Sequence, residues 1–276
     1  MNRRRFLTAL GSAAAAAAAL AVDAFAVEPR RITVTRHAIG AGQNGPTLRL
    51  VQLTDLHLQE IGDHERRVAR EVGSLTPHLV LFTGDSIDRK DRLEVLGAFL
   101  DLLEPAIPKI ATLGNWERWA GIDSAELARV YQTRNARLLV NETATHVHEG
   151  RSFRLTGLDD AVSGSPDLDA ALAGIPAGPD HVLLQHAPAY RDTLIGSSRP
   201  PPVMLSGHTH GGQVALFGWA PVRPRGSGRY VSGWYRDARP ALYVSRGIGT
   251  VIVPVRLGAP PEIAVFDWRL SGDEAR

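Results

Sequence analysis

The chain has 276 residues, 44% hydrophobic and 22% charged, which excludes a disordered or low-complexity protein and admits one large domain or two small ones. Its formal net charge of +2 is local, because residues 1–26 carry three of the 31 basic and one of the 29 acidic side chains; the remainder is neutral and leaves no nucleic-acid footprint. The absence of cysteine rules out thiolate metal sites and cysteine nucleophiles.

At the start, Asn2-Arg3-Arg4-Arg5-Phe6-Leu7 is a charged segment, residues 9–22 form an alanine-rich apolar run, and Ala24-Phe25-Ala26 is an A-x-A cleavage signal. Consecutive arginines followed by Phe-Leu resemble a twin-arginine export signal. The expectation is a signal over residues 1–26 and a single domain over residues 27–276. The twin-arginine export machinery would pass the folded protein to the periplasm or the exterior, with cleavage after Ala26. The apolar run is shorter than the roughly 20 residues that span a bilayer, which favours cleavage over anchoring.

Residues 31–39 alternate as an edge strand does, and residues 47–53 read as a strand running into Thr54-Asp55-Leu56-His57. A charged helical segment follows over residues 63–75. A second strand, 78–82, ends at Thr83-Gly84-Asp85-Ser86-Ile87-Asp88. The next helix places Leu93, Leu96, Leu100 and Leu103 on one face and stops before Pro105. Strand 109–113 then ends at Gly114-Asn115-Trp116-Glu117, before a helix over residues 124–133. Residues 137–140 and 153–156 read as strands, 167–173 as a helix, and 181–185 as a strand ending at His186. The apolar run 203–205 leads into Ser206-Gly207-His208-Thr209-His210-Gly211-Gly212-Gln213, and strands over 241–245 and 263–268 complete the pattern.

Five of these strands end in a metal-competent group: Asp55 and His57, Asp85, Asn115, His186, and His208 with His210. A Gly-Asp or Gly-Asn pair is an ordinary turn taken alone. Such turns do not explain why all five groups fall at the same end of successive strands, where open α/β sheets keep their chemistry. Four imidazoles, two carboxylates and an amide oxygen suit Mn²⁺, Zn²⁺ or Fe better than Ca²⁺ or soft metals. Seven groups exceed one tetrahedral site and match two adjacent divalent ions. Such a pair can share a hydroxide and clamp the attacking and leaving oxygens of a phosphoryl displacement.

Asp55-x-His57, Gly84-Asp85-x-x-Asp88, Gly114-Asn115, His186 and Gly207-His208-x-His210 resemble the five ordered motifs of the calcineurin-like metallophosphoesterases. The loop Gly-His-Thr-His-Gly-Gly-Gln, the arginine pair and residues 254–265 are similar to its exported, phosphodiesterase-like bacterial branch. The resemblance implies an α/β fold of two packed mixed β-sheets flanked by helices. It implies that Asp55, His57 and His210 bind one ion, that Asp85 bridges, and that Asn115, His186 and His208 bind the other. Catalysis would then rest on Asp85, Asn115 and His208, with Asp88 and Glu117 orienting the ligands.

One position departs from that family pattern: Trp116 stands where a histidine usually follows Gly-Asn, and an indole cannot transfer a proton usefully. His64, His146 and His148 are the candidates for a substitute acid. Downstream, Arg223, Arg225, Arg229, Arg236 and Arg239 are interleaved with Phe217, Trp219, Tyr230, Trp234 and Tyr235. Together with Trp116, Arg223, Arg225, Arg229 and Tyr230 are the candidates for holding an anionic substrate. The expected activity is hydrolysis of a phosphodiester or pyrophosphate, lipid-linked or envelope-derived, with membrane-surface contact. The alternatives are a phosphomonoesterase, or a metal-holding binding protein weakened by Trp116.

Overall fold

The computed structural model describes residues 3–40, 43–216 and 219–272. Helix α1 (Arg3–Val22) continues as a π-turn (Asp23–Val27) and a 3₁₀ turn (Glu28–Arg30). The helical stretch Leu10–Arg30 spans 21 residues and is long and apolar enough to cross a membrane, a test that signal sequences also pass. It exceeds the apolar run counted from sequence because Asp23 and Glu28 do not interrupt the helical path. Its end is tied to the domain: Ala24 and Glu28 are buried, the Ala24 carbonyl accepts from Arg256 N at 2.9 Å, and Glu28 Oε1 accepts from Ala259 N at 2.7 Å.

Two six-stranded mixed sheets follow. The first runs in the order β1 (Thr33–Ile39), β12 (Glu262–Arg269), β2 (Thr47–Leu53), β3 (Leu79–Thr83), β4 (Lys109–Thr112), β5 (Ala136–Leu138). Only the β12–β2 pair is antiparallel. The second runs β10 (Gly233–Tyr235), β11 (Ala241–Val244), β9 (Val203–Ser206), β8 (His181–Leu184), β7 (Arg151–Gly157), β6 (Glu142–His148), parallel except for its two outer pairs. The helices α2 (Asp63–Ser74), α3 (Leu93–Leu100), α4 (Asn115–Trp119), α5 (Ser124–Gln132), α6 (Leu168–Ala171) and α7 (Arg191–Leu194) lie in the connections.

Period-two alternation builds the layers. Leu48 and Leu50 of β2 join Leu79, Leu81 and Phe266 against Leu155, Val182, Leu184 and Leu205 of the second sheet. Their strand neighbours Val51, Leu53, Val80 and Phe82 point the other way, onto Val68, Val72, Leu96, Phe99 and Leu127 of the helices. Leu183, Met204, Leu242 and Val244 do the same for the second sheet, against Leu194 and Ala171. Gln52 shares the inner face and stitches the sheets, its amide donating to Thr83 Oγ1 at 2.8 Å and the Ser206 carbonyl at 3.1 Å.

The sequence reading lacked β6, β10, α4 and the four-residue α7. β6 buries Ala144 alone among its seven residues, so it carries no apolar alternation, while β10 and α4 have only three and five residues.

Candidate metal centre

All seven residues read as ligands are buried beyond the carboxyl ends of strands: Asp55 and His57 after β2, Asp85 after β3, Asn115 at the start of α4, His186 after β8, His208 and His210 after β9. Asp55, His57, Asp85, His208 and His210 have φ between 46° and 74°. Left-handed backbone at non-glycine residues costs on the order of 1–3 kcal/mol each and persists where surroundings over-determine it, as at functional sites.

The side chains form two groups, Asp55 with His57 and His210, and Asp85 with His186 and His208; within each, the ligating atoms lie within 4.8 Å of one another. In the first, His57 Nε2 and His210 Nε2 are 3.2 Å apart, and Asp55 Oδ1 is 3.4 Å from His210 Nε2. In the second, Asp85 Oδ2 is 3.0 Å from His186 Nε2 and His208 Nδ1 is 2.8 Å from Asn115 Oδ1. Asp85 Oδ2 is also 3.8 Å from His57 Nε2, so one carboxylate reaches both groups.

The tautomers indicate what this arrangement accommodates. His186 Nδ1 donates to the Thr83 carbonyl at 2.8 Å, which turns Nε2 toward the centre and Asp85 Oδ2. His208 Nε2 donates to the Arg225 carbonyl at 2.8 Å, and burial lowers its pKa. Nδ1 of the neutral ring therefore turns a lone pair toward the Asn115 oxygen, and two acceptors at that distance repel unless a cation lies between them. Burial also lowers His210 to about 3 and keeps it a neutral ligand. Burial disfavours the His186 imidazolium, yet Asp85 and Asp55 beside it outweigh that and raise its pKa, which is the pull this pocket exerts on any positive charge. The donor set fits divalent metal ions.

The backbone packs against the carboxylates with no space for a side chain. A Cβ at Gly207 would stand 2.3 Å from Asp55 Oδ2, one at Gly114 2.2 Å from Asp85 Oδ1, and one at Gly247 2.6 Å from Asp55 Cβ. Gly247 and Gly249, after β11, went unremarked in the sequence; two glycines spaced by one residue beyond a strand end were the available signal. Glu117 is fully buried and touches no ligand side chain. Its Oε2 accepts from Asp85 N at 3.1 Å and Gly114 N at 3.0 Å, and its Oε1 from Ser86 N at 2.6 Å. It therefore fixes the loops that carry Asp85 and Asn115. Burial and the neighbouring Asp85 push its pKa up to about 7. Asp88 is one step further out: it accepts from Gln59 Nε2 at 2.8 and 2.9 Å, and that amide also reaches the His57 carbonyl at 3.3 Å.

Trp116 is half-buried at the mouth. Its backbone N–H donates to Asp85 Oδ1 at 2.9 Å, and its ring stands edge-on to His57 at 5.9 Å. Of the candidate acids, only His64 faces a cleft shared with His57. His146 stacks on Phe153, and His148 contacts the carbonyl of Thr47, at the opposite end of β2 from Asp55. Arg223, Arg225 and Arg229 are exposed, with Arg229 paired to Asp237 and lying over Tyr230. Tyr230 is corrected from the sequence reading: it is fully buried in the outer core of the second sheet and bonded to Asp192 and Arg191, so it has no open face for a substrate. The arginine-rich segment is less free than its composition suggested. Buried Arg191 clamps it through the carbonyls of Pro240 and Ala238 and the carboxylate of Asp237, at 2.7, 2.7 and 2.9 Å. Phe217 lies outside the described residues.

The family profile described as Calcineurin-like phosphoesterase matches residues 48–212. The chain is 30% identical to the "Uncharacterized metallophosphoesterase YkuE" of Bacillus subtilis, over 96% of this chain and 97% of that protein. It is 28% identical to the "Phosphodiesterase YaeI" of Escherichia coli, over 97% and 99% respectively. Among solved structures, a 5'-nucleotidase precursor from Thermus thermophilus aligns with 74% of this chain and 49% of its own at 18% identity and a TM-score of 0.46. With buried ligand groups at the strand ends and a profile that spans most of both sheets, the chain belongs to the calcineurin-like phosphoesterase family, and it is a phosphoric ester hydrolase.

Proposed function

We propose that the protein hydrolyses phosphodiester or pyrophosphate bonds with two divalent cations, Mn²⁺, Zn²⁺ or Fe, outside the cytoplasm. Asp55, His57 and His210 would hold one cation and Asn115, His186 and His208 the other, with Asp85 serving both. The observation that carries this reading is the reach of the single Asp85 carboxylate to His186 at 3.0 Å and His57 at 3.8 Å. When bound, the cations supply Lewis acidity toward phosphoryl oxygens and activate water.

The chain's own groups do the positioning. The Thr83 and Arg225 carbonyls hold His186 and His208 in the tautomers that face the centre, and Glu117 holds the two loops bearing Asp85 and Asn115. With an indole at 116 in place of an imidazole, that position gives the leaving oxygen no proton. That favours aryl phosphodiesters and pyrophosphates over alkyl monoesters. The relative named a phosphodiesterase supports the same choice.

Reconstitution with Mn²⁺ or Zn²⁺ and metal analysis of the purified protein test the proposal, alongside hydrolysis of a bis-aryl phosphodiester. Two ions per chain and metal-dependent turnover are expected. One ion or none, or turnover that survives chelation, would overturn the binuclear assignment.

A further inference from the structure

A cleft of about 690 Å³ runs from the metal ligand His57 past Leu56 and Ile248 to Phe25, Arg30 and Pro254, and its lining also includes the polar side chains of Glu60, Asp63, His64, Glu65 and Arg67. Three segments knit its rim. Gln213, at the end of the His208–His210 loop, accepts from Val251 N at 2.6 Å and donates to the Val253 carbonyl at 3.4 Å. Ala215 N donates to the Leu257 carbonyl at 2.7 Å, and Arg256 N donates to the Ala24 carbonyl at 2.9 Å. The metal loop, residues 251–257 and the end of the N-terminal helical stretch are therefore one connected lip.

That lip is apolar and faces outward. Ile252 is 93% exposed, with Phe25, Val27 and Val253 also exposed, and the chain that follows the metal loop exposes Leu216, Trp219 and Val222. Ile252 is moreover a β-branched residue at φ 65°, a conformation such residues rarely adopt. Elsewhere on the described domain the exposed large apolar residues, Val34, Trp119, Val147 and Ile195, belong to four separate segments. Exposed apolar side chains gathered on the segments beside a site mouth mark an interaction surface.

Two observations select a bilayer as its occupant. The helical stretch that feeds into the lip is long and apolar enough to lie in a membrane, and its Leu7, Leu10, Leu20 and Val22 are exposed. Arg30 and Arg67 line the cleft and Arg225 carries the carbonyl that holds His208; these three exposed cations, set against the exposed Glu60 and Asp63 of the same lining, match anionic headgroups.

We propose that the mouth of the metal centre docks on a lipid bilayer and takes an amphiphilic phosphoester, a lipid phosphodiester or lipid-linked pyrophosphate, from that surface. This rests on the hydrolase reading above and names its substrate class. The apolar tail would stay with the exposed Phe25, Ile252 and Val253 of the lip while the phosphoryl group reaches the ligands. The proposal requires residues 1–26 to stay attached, in place of the cleavage expected after Ala26.

Because the chain has no cysteine, single nitroxide labels can be placed in the full-length protein through Ile252→Cys and, as a control on β6, Val147→Cys. In phosphatidylcholine–phosphatidylglycerol vesicles, the label at 252 should collide preferentially with oxygen and the label at 147 with an aqueous nickel chelate. Equal aqueous accessibility at both positions overturns the docking. In the second arm, Ile252→Asp with Val253→Asp should slow hydrolysis of a phosphoester lipid in those vesicles about tenfold, the order expected when apolar anchors are lost. Turnover of a water-soluble bis-aryl phosphodiester should not change, and an equal loss on both substrates refutes the proposal. If the wild-type protein cleaves neither substrate, the hydrolase reading fails, while the label depths still decide the docking.

Discussion

Glu117→Gln separates the positioning of the site from the chemistry of its ligands. The carboxylate accepts three backbone N–H groups, two on Oε2 and one on Oε1, in full burial. Glutamine has one acceptor oxygen. Its cheaper orientation keeps the Asp85 and Gly114 bonds and turns an NH₂ toward the Ser86 N–H. That loses one charge-assisted hydrogen bond, worth about 1.5–3 kcal/mol. The pKa of about 7 shows that burial beside Asp85 already strains the charge, so neutralisation returns part of this. A net loss of about 1–2 kcal/mol is expected for the metal-free protein in urea unfolding. The decisive readout is metal affinity, since supports behind a ligand shell change it by about 10- to 100-fold. Unchanged stability and affinity would refute the assigned role. A stability loss with unaltered affinity would make Glu117 a packing residue only.

Three further outcomes are expected. Trp116→His should accelerate esters with poor leaving groups by about tenfold or more and good ones least, and equal effects across a leaving-group series would exclude missing acid catalysis as the cause. Buried His181, bonded to Thr156 Oγ1 at 2.7 Å, has its pKa lowered by burial to about 4, so its contribution is present above pH 6.5 and is lost as pH falls toward 4. The stability gap between wild type and His181→Gln should accordingly shrink by about 2–3 kcal/mol from pH 7 to pH 4, and a constant gap would contradict the buried neutral ring. Replacing Arg3 and Arg4 together by lysine should retain the protein in the cytoplasm, as fractionation would show; normal export would mean that the pair is not read as a twin-arginine signal.

Two of the strands that carry the site were legible because both faces are buried, which turns residues 79–83 and 203–206 into apolar runs with abrupt polar ends, while residues 47–53 were legible from Leu48, Leu50, Val51 and Leu53. The site residues sit in those ends, so strand order and chemistry could be read together. Edge elements were not legible in the same way, since β6 is buried only at Ala144 and pairs through its backbone. Side-chain destinations were hardest to read. Nothing in Arg229-Tyr230 announces that one side chain lies in water and the next in a core closed by Arg191, some forty residues earlier. The reading of Asp88 as a group that orients the ligands did not include Gln59, which stands between it and the His57 carbonyl, for the same reason: both assignments depend on contacts between distant segments.

The division of the ligands between two sheets bears on how the site would bind a metal. Sheet one supplies Asp55, His57, Asp85 and Asn115. Each ligand group also draws on sheet two, His210 for one and His186 with His208 for the other. Neither cage is complete until the two sheets have packed face to face, so a bound ion would hold the two halves of the core together and its removal would loosen the packing between them.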